Sequence, residues 1–379
     1  METEPQALRA ALAGRHDRLA GRLLEWVAAE SPTTDKLAVD MFGALVATEL
    51  RAAGLCVALE PRAGVGDLIR GRLEAGPERI LVLGHLDTVH PLGSVRLNPP
   101  RREAGKIWGP GAHDMKGGIA ALLGATEALG ALGLRPRATV EVLLTSDEET
   151  GSDQSRERIL ELARGCAAVL VLEPPLAGGA LKTRRKGVGQ FRFEVTGKAA
   201  HAGVDPESGV SAIREMAHLL LAAEALSEPA AGLSVRVGTV RGGSRPNVVP
   251  DFCEAVLDLR CRSAADGERV GQALRALEPQ HPQARLRVSG GIGRPPLEAT
   301  PANRALFQRA CRIGSDAGLQ LSEGESGGAS DGSFTSAAGV ATLDGLGPDG
   351  AGLHSSGEYV LEDSLLERAL LLALLLRQL

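Results

Sequence analysis

Apolar positions in the first 55 residues recur at helical spacing. They follow one another at intervals of three, four and seven residues: Leu8, Leu12, Leu19, Leu23 and Trp26. This spacing predicts helices with one apolar face. The segment 31–33, Ser-Pro-Thr, interrupts the pattern and offers a cap for a further helix over about 34–53. Gly54 is expected to end that helix, since glycine commonly follows the last helical turn.

Short apolar runs alternate with helical segments in the next part of the chain. The runs at 80–83, 139–144 and 167–172 are too short for helices and predict buried strands. A hairpin-like stretch precedes the first run, and the small residues of 117–132 predict a helix. Buried strands that alternate with helices predict an α/β fold with a mixed, mostly parallel sheet and helices on both faces.

The hydrophobic pattern changes near residue 186. Apolar and polar residues now alternate, wholly or in part, in four segments: 190–196, 233–240, 255–260 and 285–288. Such alternation is typical of strands with one solvent-exposed face, and a helix is predicted over about 210–226. Residues 187–295 are therefore predicted to form an α+β domain inserted between two parts of the α/β domain, 1–186 and 296–379. Helices are predicted at 301–317 and 363–378 in the second part.

Composition narrows the possible function. A chain of 379 residues, with about 150 per domain, is expected to form two or three domains. A net charge of −5 and an aromatic content of 2% argue against a nucleic-acid partner. The N-terminus lacks a signal-peptide pattern and no apolar run is long enough to span a bilayer, so we expect a cytoplasmic protein without membrane contact. Five cysteines without a CxxC pair fit a reducing compartment.

Histidine and carboxylate residues follow the predicted strands. His85 and Asp87 come after the run at 80–83, and a His-x-Asp pair suits a metal ligand whose second ring nitrogen is held by a carboxylate. A purely structural hydrogen-bonded pair is equally expected from this segment alone. Three consecutive carboxylates, 147–149, follow the run at 139–144. A cation would relieve their repulsion, and adjacent carboxylates can divide metal binding from proton transfer.

Three further candidates lie in comparable places. Asp114 precedes the helix predicted at 117–132, where it could simply cap that helix, Glu173 follows a predicted strand, and His354 lies in a Gly-rich segment. With His85 and Glu149 they form a set of two imidazoles and three carboxylates. This donor set suits Zn²⁺ first, with Co²⁺ or Mn²⁺ as possible substitutes. Five ligands exceed the need of one catalytic zinc ion and fit a pair of ions bridged by Asp114.

Six motifs in this order resemble the M20 metallopeptidase family over roughly 20–375: GHLDTV, GPGAHDMKGG, TSDEETG, LEP, GKAAHAG and LHSSGE. They are most similar to the glutamate carboxypeptidase branch. Related branches are acetylornithine deacetylase, succinyl-diaminopimelate desuccinylase and the aminoacylases. The resemblance implies a zinc-peptidase-like catalytic domain with two zinc ions. It also implies that the inserted domain is a lid and dimerisation domain, and hence that the protein is a homodimer.

The resemblance further implies how the candidates share the two ions. His85 and Glu173 would bind one ion. Glu149 and His354 would bind the other, and Asp114 would bridge the two.

Other roles also follow from the resemblance. Glu148 would be the general base, Asp87 would orient His85, and the Asp114–Met115 peptide bond would be cis.

Substrate contacts are implied in the inserted domain. His201 of GKAAHAG would contact the substrate and its oxyanion, often from the partner subunit, although a turn histidine is the structural alternative. Asn247 and Arg260 would bind the free carboxylate of the substrate, and the planar guanidinium suits that task. A strand-end ion pair is the alternative for Arg260. The basic run 182–186 would bind a second carboxylate, such as that of glutamate, or form a solvated hinge.

These expectations predict metal-assisted hydrolysis of the amide bond of a small peptide or N-acyl amino acid. The favoured activity is a carboxypeptidase that releases a glutamate-like C-terminal residue. An N-acyl amino acid deacylase or desuccinylase is the alternative, and a non-hydrolytic peptide-binding relative also stays open.

Three features depart from the family pattern: the first, His113, would be an extra hydrogen-bond donor or mark a distorted site, and the other two bear on the substrate. His113 stands where a small residue is usual, and the segment 326–331 has Ala and Ser where Gly and Thr are common. The scarcity of aromatic rings argues against a folate specialist.

Overall fold

The computed structural model describes residues 3–379. The chain divides into two units. The first comprises the residues up to Thr183 together with Ala299–Ser326 and Ser330–Leu379. The second comprises Arg184–Glu298 and Gly327–Ala329.

The helices occur in both units, and their bounds are α1 Glu4–Ala13, α2 His16–Ala28, α3 Lys36–Ala52, α4 Gly117–Ala131, α5 Arg156–Ala163, α6 Ala212–Glu224, α7 Ala264–Arg275, α8 Pro301–Ser315, α9 Gly332–Ala337 and α10 Glu362–Gln378. Every helix predicted from the sequence is confirmed, while α5, α7 and α9 are additional. The cap of α3 differs from the expectation: the Asp35 side chain, and not the segment 31–33, accepts a hydrogen bond from the backbone N–H of Ala38 at 3.0 Å. No helix between residues 3 and 379 has the length and apolar character needed to cross a membrane.

The strands are β1 Cys56–Glu60, β2 Leu68–Leu73, β3 Arg79–His85, β4 Arg101–Glu103, β5 Lys106–Trp108, β6 Thr139–Thr145, β7 Ala168–Val171, β8 Leu181–Arg185, β9 Gly187–Thr196, β10 Ala200–His201, β11 Ser234–Gly242, β12 Val248–Val249, β13 Phe252–Cys261, β14 Arg285–Arg294, β15 Glu323–Ser326, β16 Thr342–Leu343, β17 Gly350–Ala351 and β18 Tyr359–Leu361. The apolar runs predicted as buried strands correspond to β3, β6 and β7, and all three are confirmed.

A mixed six-stranded sheet lies at the centre of the first unit, with the strand order β1-β2-β6-β3-β7-β16. The neighbours β6, β3, β7 and β16 are parallel, while β1 and β2 form an antiparallel edge. The side chains of β3 alternate between two apolar clusters. Ile80 and Val82 pack into the cluster that contains α4 and α10, whereas Leu81 and Leu83 pack into the cluster that contains α5 and α9. Helices therefore cover both faces of the sheet, as predicted.

The second unit has an α+β architecture. Its antiparallel sheet has the order β11-β13-β9-β14. The inward residues of β9, among them Phe191 and Phe193, are fully buried against α6 and α7. Alternation along β9 matches the pattern in the sequence, because one face of this sheet is covered and the other is exposed.

The close approach of α4 to the end of β7 can be tested with a glycine substitution. A Cβ atom at Gly118 would lie 2.1 Å from the carbonyl oxygen of Leu172, and this backbone atom cannot move without shifting the neighbouring Glu173. We expect Gly118→Ala to lower the free energy of unfolding by about 1–3 kcal/mol, as overpacking does. Urea unfolding would measure the change.

Gly130→Ala on the same helix is the matched control. A Cβ atom at Gly130 meets nothing within 4 Å, so alanine should be neutral or stabilising by at most about 1 kcal/mol. Equal stability of the two variants would contradict the predicted clash.

Candidate metal centre

Three adjacent strands of the central sheet deliver the first group of candidate ligands. His85 is the last residue of β3, Glu149 follows β6, and Glu173 follows β7. Because β6, β3 and β7 are parallel neighbours, their carboxyl ends lie at the same edge of the sheet. The polar residues that follow these strands are therefore brought together.

Two loops supply the remaining candidates. Asp114 lies in the segment Ala112–Lys116, directly before α4, and the Asp114–Met115 peptide bond is cis, as the resemblance implies. His354 lies between β17 and β18, with a backbone φ angle of 59°.

The five predicted ligands converge around Asp114. Nε2 of His85 lies 3.1 Å from Oδ1 of Asp114 and 3.5 Å from Oε1 of Glu173. Nε2 of His354 lies 3.3 Å from Oδ2 of Asp114 and 3.5 Å from Oε2 of Glu149. The two oxygens of Asp114 thus lie beside different histidines, each of which also lies beside a glutamate. This arrangement is compatible with a carboxylate that would bridge two ions.

These distances fit metal coordination. In a tetrahedral zinc site with metal–ligand bonds of about 2.0–2.2 Å, neighbouring donor atoms are about 3.3–3.6 Å apart. The observed separations of 3.1–3.5 Å are close to this range. In addition, Oε1 of Glu149 is buried without a hydrogen-bond partner among residues 3–379, as expected of an oxygen that serves as a ligand.

Burial and close contact perturb the ionisation of the carboxylates at the centre. Burial and the Asp114 carboxylate raise the pKa of Glu149 to about 10. Burial also acts to raise the pKa of Asp114, but hydrogen bonds with His354 and His85 outweigh it and hold that pKa below its usual range. Carboxylates that share a small buried volume disfavour full ionisation, and divalent cations would remove that penalty.

Glu148 lies beside the same group without belonging to the predicted ligands. It is 6% exposed, and one of its oxygens lies within 4.8 Å of donor atoms of His85 and Glu173. The preceding strand β6 brings it to the sheet edge together with Glu149. Its position is therefore compatible with proton transfer at the centre.

Asp87 is fully buried behind His85. The Nδ1 atom of His85 lies 2.9 Å from the main-chain carbonyl oxygen of Asp87 and 3.5 Å from its Oδ1 atom. The Asp87 carboxylate accepts hydrogen bonds from the backbone N–H groups of Glu148 and Glu149 at 3.3 and 3.2 Å, and from the Thr33 hydroxyl at 2.7 Å. Asp87 thus contacts both His85 and the turn that carries the glutamates.

Glu358 has no role in the expectations from sequence, yet its carboxylate organises the Asp114 segment. It is fully buried, and it accepts hydrogen bonds from the backbone N–H groups of Gly111, His113 and Asp114 at 2.8–2.9 Å. Nε2 of His90 lies 2.6 Å from the same carboxylate. The only signal in the sequence is a glutamate four residues after His354.

The predicted substrate residues all lie in the second unit. His201 on β10 pairs with β12, and the backbone N–H of Ala202 donates to the carbonyl oxygen of Asn247 at 3.0 Å, so His201 and Asn247 lie on neighbouring segments. Arg260 on β13 forms an ion pair with Asp258, with Nε and Nη2 at 2.8 and 2.9 Å from its carboxylate oxygens. The strand-end ion pair expected as the alternative for Arg260 is therefore present.

The departures from the family pattern have distinct environments. His113 is 3% exposed, burial lowers its pKa, and neither ring nitrogen has a hydrogen-bond partner among the described residues. Within the basic run, Lys182 and Arg185 are buried while Arg184 is exposed, so the run is not uniformly solvated. In the segment 326–331, Ser330 is buried and donates to Asp344 at 2.6 Å.

Comparison with known proteins identifies clear relatives. Residues 81–378 match Peptidase family M20/M25/M40. Carboxypeptidase G2 of Pseudomonas sp. (strain RS-16) is 32% identical over 91% of this chain and 85% of its own length. Succinyl-diaminopimelate desuccinylase of Halorhodospira halophila is 31% identical over 83% of this chain and 87% of its own.

A solved structure shares the fold. The YXEP protein of Bacillus subtilis, described as a dinuclear metal-binding peptidase of the M20 family, superposes with a TM-score of 0.73 over 96% of this chain and 98% of its own at 14% identity.

The contacts of Glu358 lead to a prediction about metal affinity. Glu358→Gln replaces one carboxylate oxygen by an NH₂ group, which cannot accept a hydrogen bond from a backbone N–H. The Asp114 segment should therefore lose its fixed position. We expect zinc affinity to fall about 10–100-fold, as for other residues that orient metal ligands. Titration with a competing chelator would measure it.

Glu362→Gln is the control for this substitution. Glu362 is also a buried carboxylate and pairs with His16 and Arg102 at 3.2 and 2.8 Å, but it makes no contact with the Asp114 segment. Its zinc affinity should equal that of the unmodified chain. A similar loss in both variants would show that Glu358 acts only through general stability.

Proposed function

The chain belongs to peptidase family M20/M25/M40 and is a hydrolase, and we propose that it uses two divalent cations to cleave an amide bond next to a free carboxylate. The favoured reaction is that of a carboxypeptidase, which releases a glutamate-like C-terminal residue from a peptide or an N-acyl conjugate. The observation that carries this proposal is the position of Asp114, whose two oxygens lie beside two different histidines, His85 and His354.

Five residues would hold the cations. His85 and Glu173 would hold one cation, Glu149 and His354 would hold the other, and Asp114 would be shared by both. Zinc is the first choice for two imidazoles and three carboxylates, with cobalt or manganese as substitutes. When bound, the cations would polarise the scissile carbonyl group and lower the pKa of a water molecule towards about 7.

Glu148 is the proposed general base. Its burial beside the ligands supports this role, because a carboxylate there could accept a proton from the attacking water and later pass that proton to the leaving amine. Asp87 supports this step indirectly. It accepts hydrogen bonds from the backbone N–H groups of Glu148 and Glu149 and so holds the turn that carries both glutamates. A base held in this way loses little entropy during the reaction.

The second unit is proposed to recognise the substrate. Arg260 and Asn247 would bind the carboxylate of the leaving residue, and His201 would stabilise the oxyanion. Since Arg260 is already paired with Asp258, a substrate carboxylate would have to share or replace that partner. We also propose that residues 187–295 form a lid and dimerisation domain, through which two chains form a homodimer.

A second candidate reaction is removal of the acyl group from an N-acyl amino acid. The likeness to succinyl-diaminopimelate desuccinylase favours it, since that relative covers most of this chain. The metal centre would serve both reactions equally. The two differ in which side of the amide bond is recognised.

Adjacent glutamates allow a sharp test of the proposed roles. Glu148→Gln should keep about two zinc ions per chain and lose turnover by about 10²–10⁴-fold, because only the proton acceptor is removed. Glu149→Gln should instead lower the zinc content, because it removes a ligand. Metal analysis and kinetics on both variants would check this, and Glu148→Gln with unchanged turnover would refute the assignment of the base.

A substrate series would separate the two reactions. The zinc-loaded chain should be assayed with dipeptides and N-acyl amino acids that end in Glu, Asp, Ala or Lys, each with a free or an amidated carboxyl group. A carboxypeptidase that binds the free carboxylate should cleave the free acids only, with preference for Glu.

Arg260→Met should raise KM more than it lowers kcat, because ground-state binding is lost.

Preference for N-succinyl compounds regardless of the leaving residue would favour the desuccinylase.

A further inference from the structure

A cavity of about 530 Å³ lies in the first unit beside the beginning of α10. It contains none of the residues of the metal centre. Backbone from several glycines forms part of its wall, and the charged side chains that line it are Asp349, Asp363, Glu367 and Arg368. Asp363 and Glu367 are exposed, one turn apart on α10, whereas Arg368 is buried. The cavity thus has one buried cation, Arg368, one half-buried carboxylate, Asp349, and two exposed carboxylates at its rim.

The Arg368 guanidinium has an unusual environment. Its side chain belongs to a residue that is only 6% exposed, yet it forms no ion pair with any carboxylate among residues 3–379. Its only hydrogen bond to the described part of the chain goes from Nη2 to the carbonyl oxygen of Gly179. A guanidinium offers five N–H donors, so four have no protein acceptor. Burial accordingly lowers the pKa of Arg368.

A buried cation that forms no direct ion pair is costly, and the nearby carboxylates of Asp349 and Glu367 offset only part of that cost. A bound anion in direct contact with the guanidinium would lower the cost further. A carboxylate is the anion best matched to a guanidinium, because the two planar groups can form parallel hydrogen bonds. A ligand with only a negative charge would, however, meet Asp363 and Glu367 at the rim. A ligand with only a positive charge would meet Arg368. The charges of the cavity are therefore complementary to a molecule that carries both.

We propose that this cavity binds a free α-amino acid. The carboxylate of the ligand pairs with Arg368, and its ammonium group pairs with Asp363 and Glu367. The volume lies within the range of about 300–1,000 Å³ that is typical of small-molecule pockets. The proposal concerns binding alone, so it stands or falls separately from the proposed hydrolysis.

Calorimetry on the zinc-loaded full chain tests this proposal, with L-alanine as the probe. Propionate and ethylamine are the matched ligands, because each carries one of the two charges of alanine and neither has an amide bond to cleave. We expect alanine to bind, and both half-ligands to bind at least about tenfold more weakly, because each lacks one charge-assisted contact.

Substitutions of cavity residues then show whether the measured heat of alanine binding comes from this cavity. Arg368→Met, which keeps most of the side-chain volume, and the double substitution Asp363→Asn with Glu367→Gln should each weaken alanine binding at least about tenfold. The double variant alters exposed residues only, so it provides a test that does not depend on how the core tolerates methionine. Arg377→Met is the control, since Arg377 lies on the same helix but pairs with Glu4 outside the cavity.

Alanine could also bind where the released residue of the proposed hydrolysis binds, at Arg260. Arg260→Met tests this alternative and should leave alanine binding unchanged. Three results would overturn the proposal: no binding of alanine at millimolar concentration, unchanged binding in Arg368→Met, or loss of binding in Arg260→Met. Equal affinity for propionate and alanine would overturn the assignment of an amino acid, because it would show that the ammonium group is not recognised.

Discussion

Mutual repulsion between buried carboxylates is the constraint around which the metal centre is built. Asp114 and Glu149 are held near one another beside His354, and burial together with the Asp114 carboxylate raises the pKa of Glu149. Such a group does not assemble by itself, so the surrounding structure has to supply the energy that holds it. Part of that energy comes from the parallel pairing of β6, β3 and β7, which brings three strand ends to one edge.

Glu358 supplies another part, through contacts of a different kind. It contacts no side chain of a predicted ligand but accepts hydrogen bonds from backbone N–H groups in the Asp114 segment. It also lies only four residues after His354. A single buried carboxylate thereby links the two loops that complete the centre. Because these hydrogen bonds lie in the protein interior, they are stronger than the same bonds in water, and removing the acceptor would leave three donors without a partner.

The sequence predicts the strands, and the positions of the candidate ligands at their ends, for a common physical reason. A buried parallel strand appears as an uninterrupted apolar run, and the polar residue after it lies at the functional edge, as His85 and Glu173 show. Helix α7 was missed because only a few of its residues, such as Val270 and Leu274, are apolar and buried. Glu358 could not be predicted because its partners are backbone groups distant in sequence, which leave no pattern in residue type.

Arg260 and Arg368 show how differently one residue type can be used in this chain. Arg260 is balanced by Asp258 on its own strand, a pairing visible in the sequence because residues two apart in a strand share a face. Any ligand of Arg260 must therefore compete with an internal carboxylate, which weakens binding but favours release. Arg368 forms no ion pair of this kind among residues 3–379 and is more deeply buried, and Asp349 and Glu367 act on it without direct pairing. Burial of a guanidinium with few hydrogen-bond partners lowers stability, and such a cost is expected where a binding site gains from it.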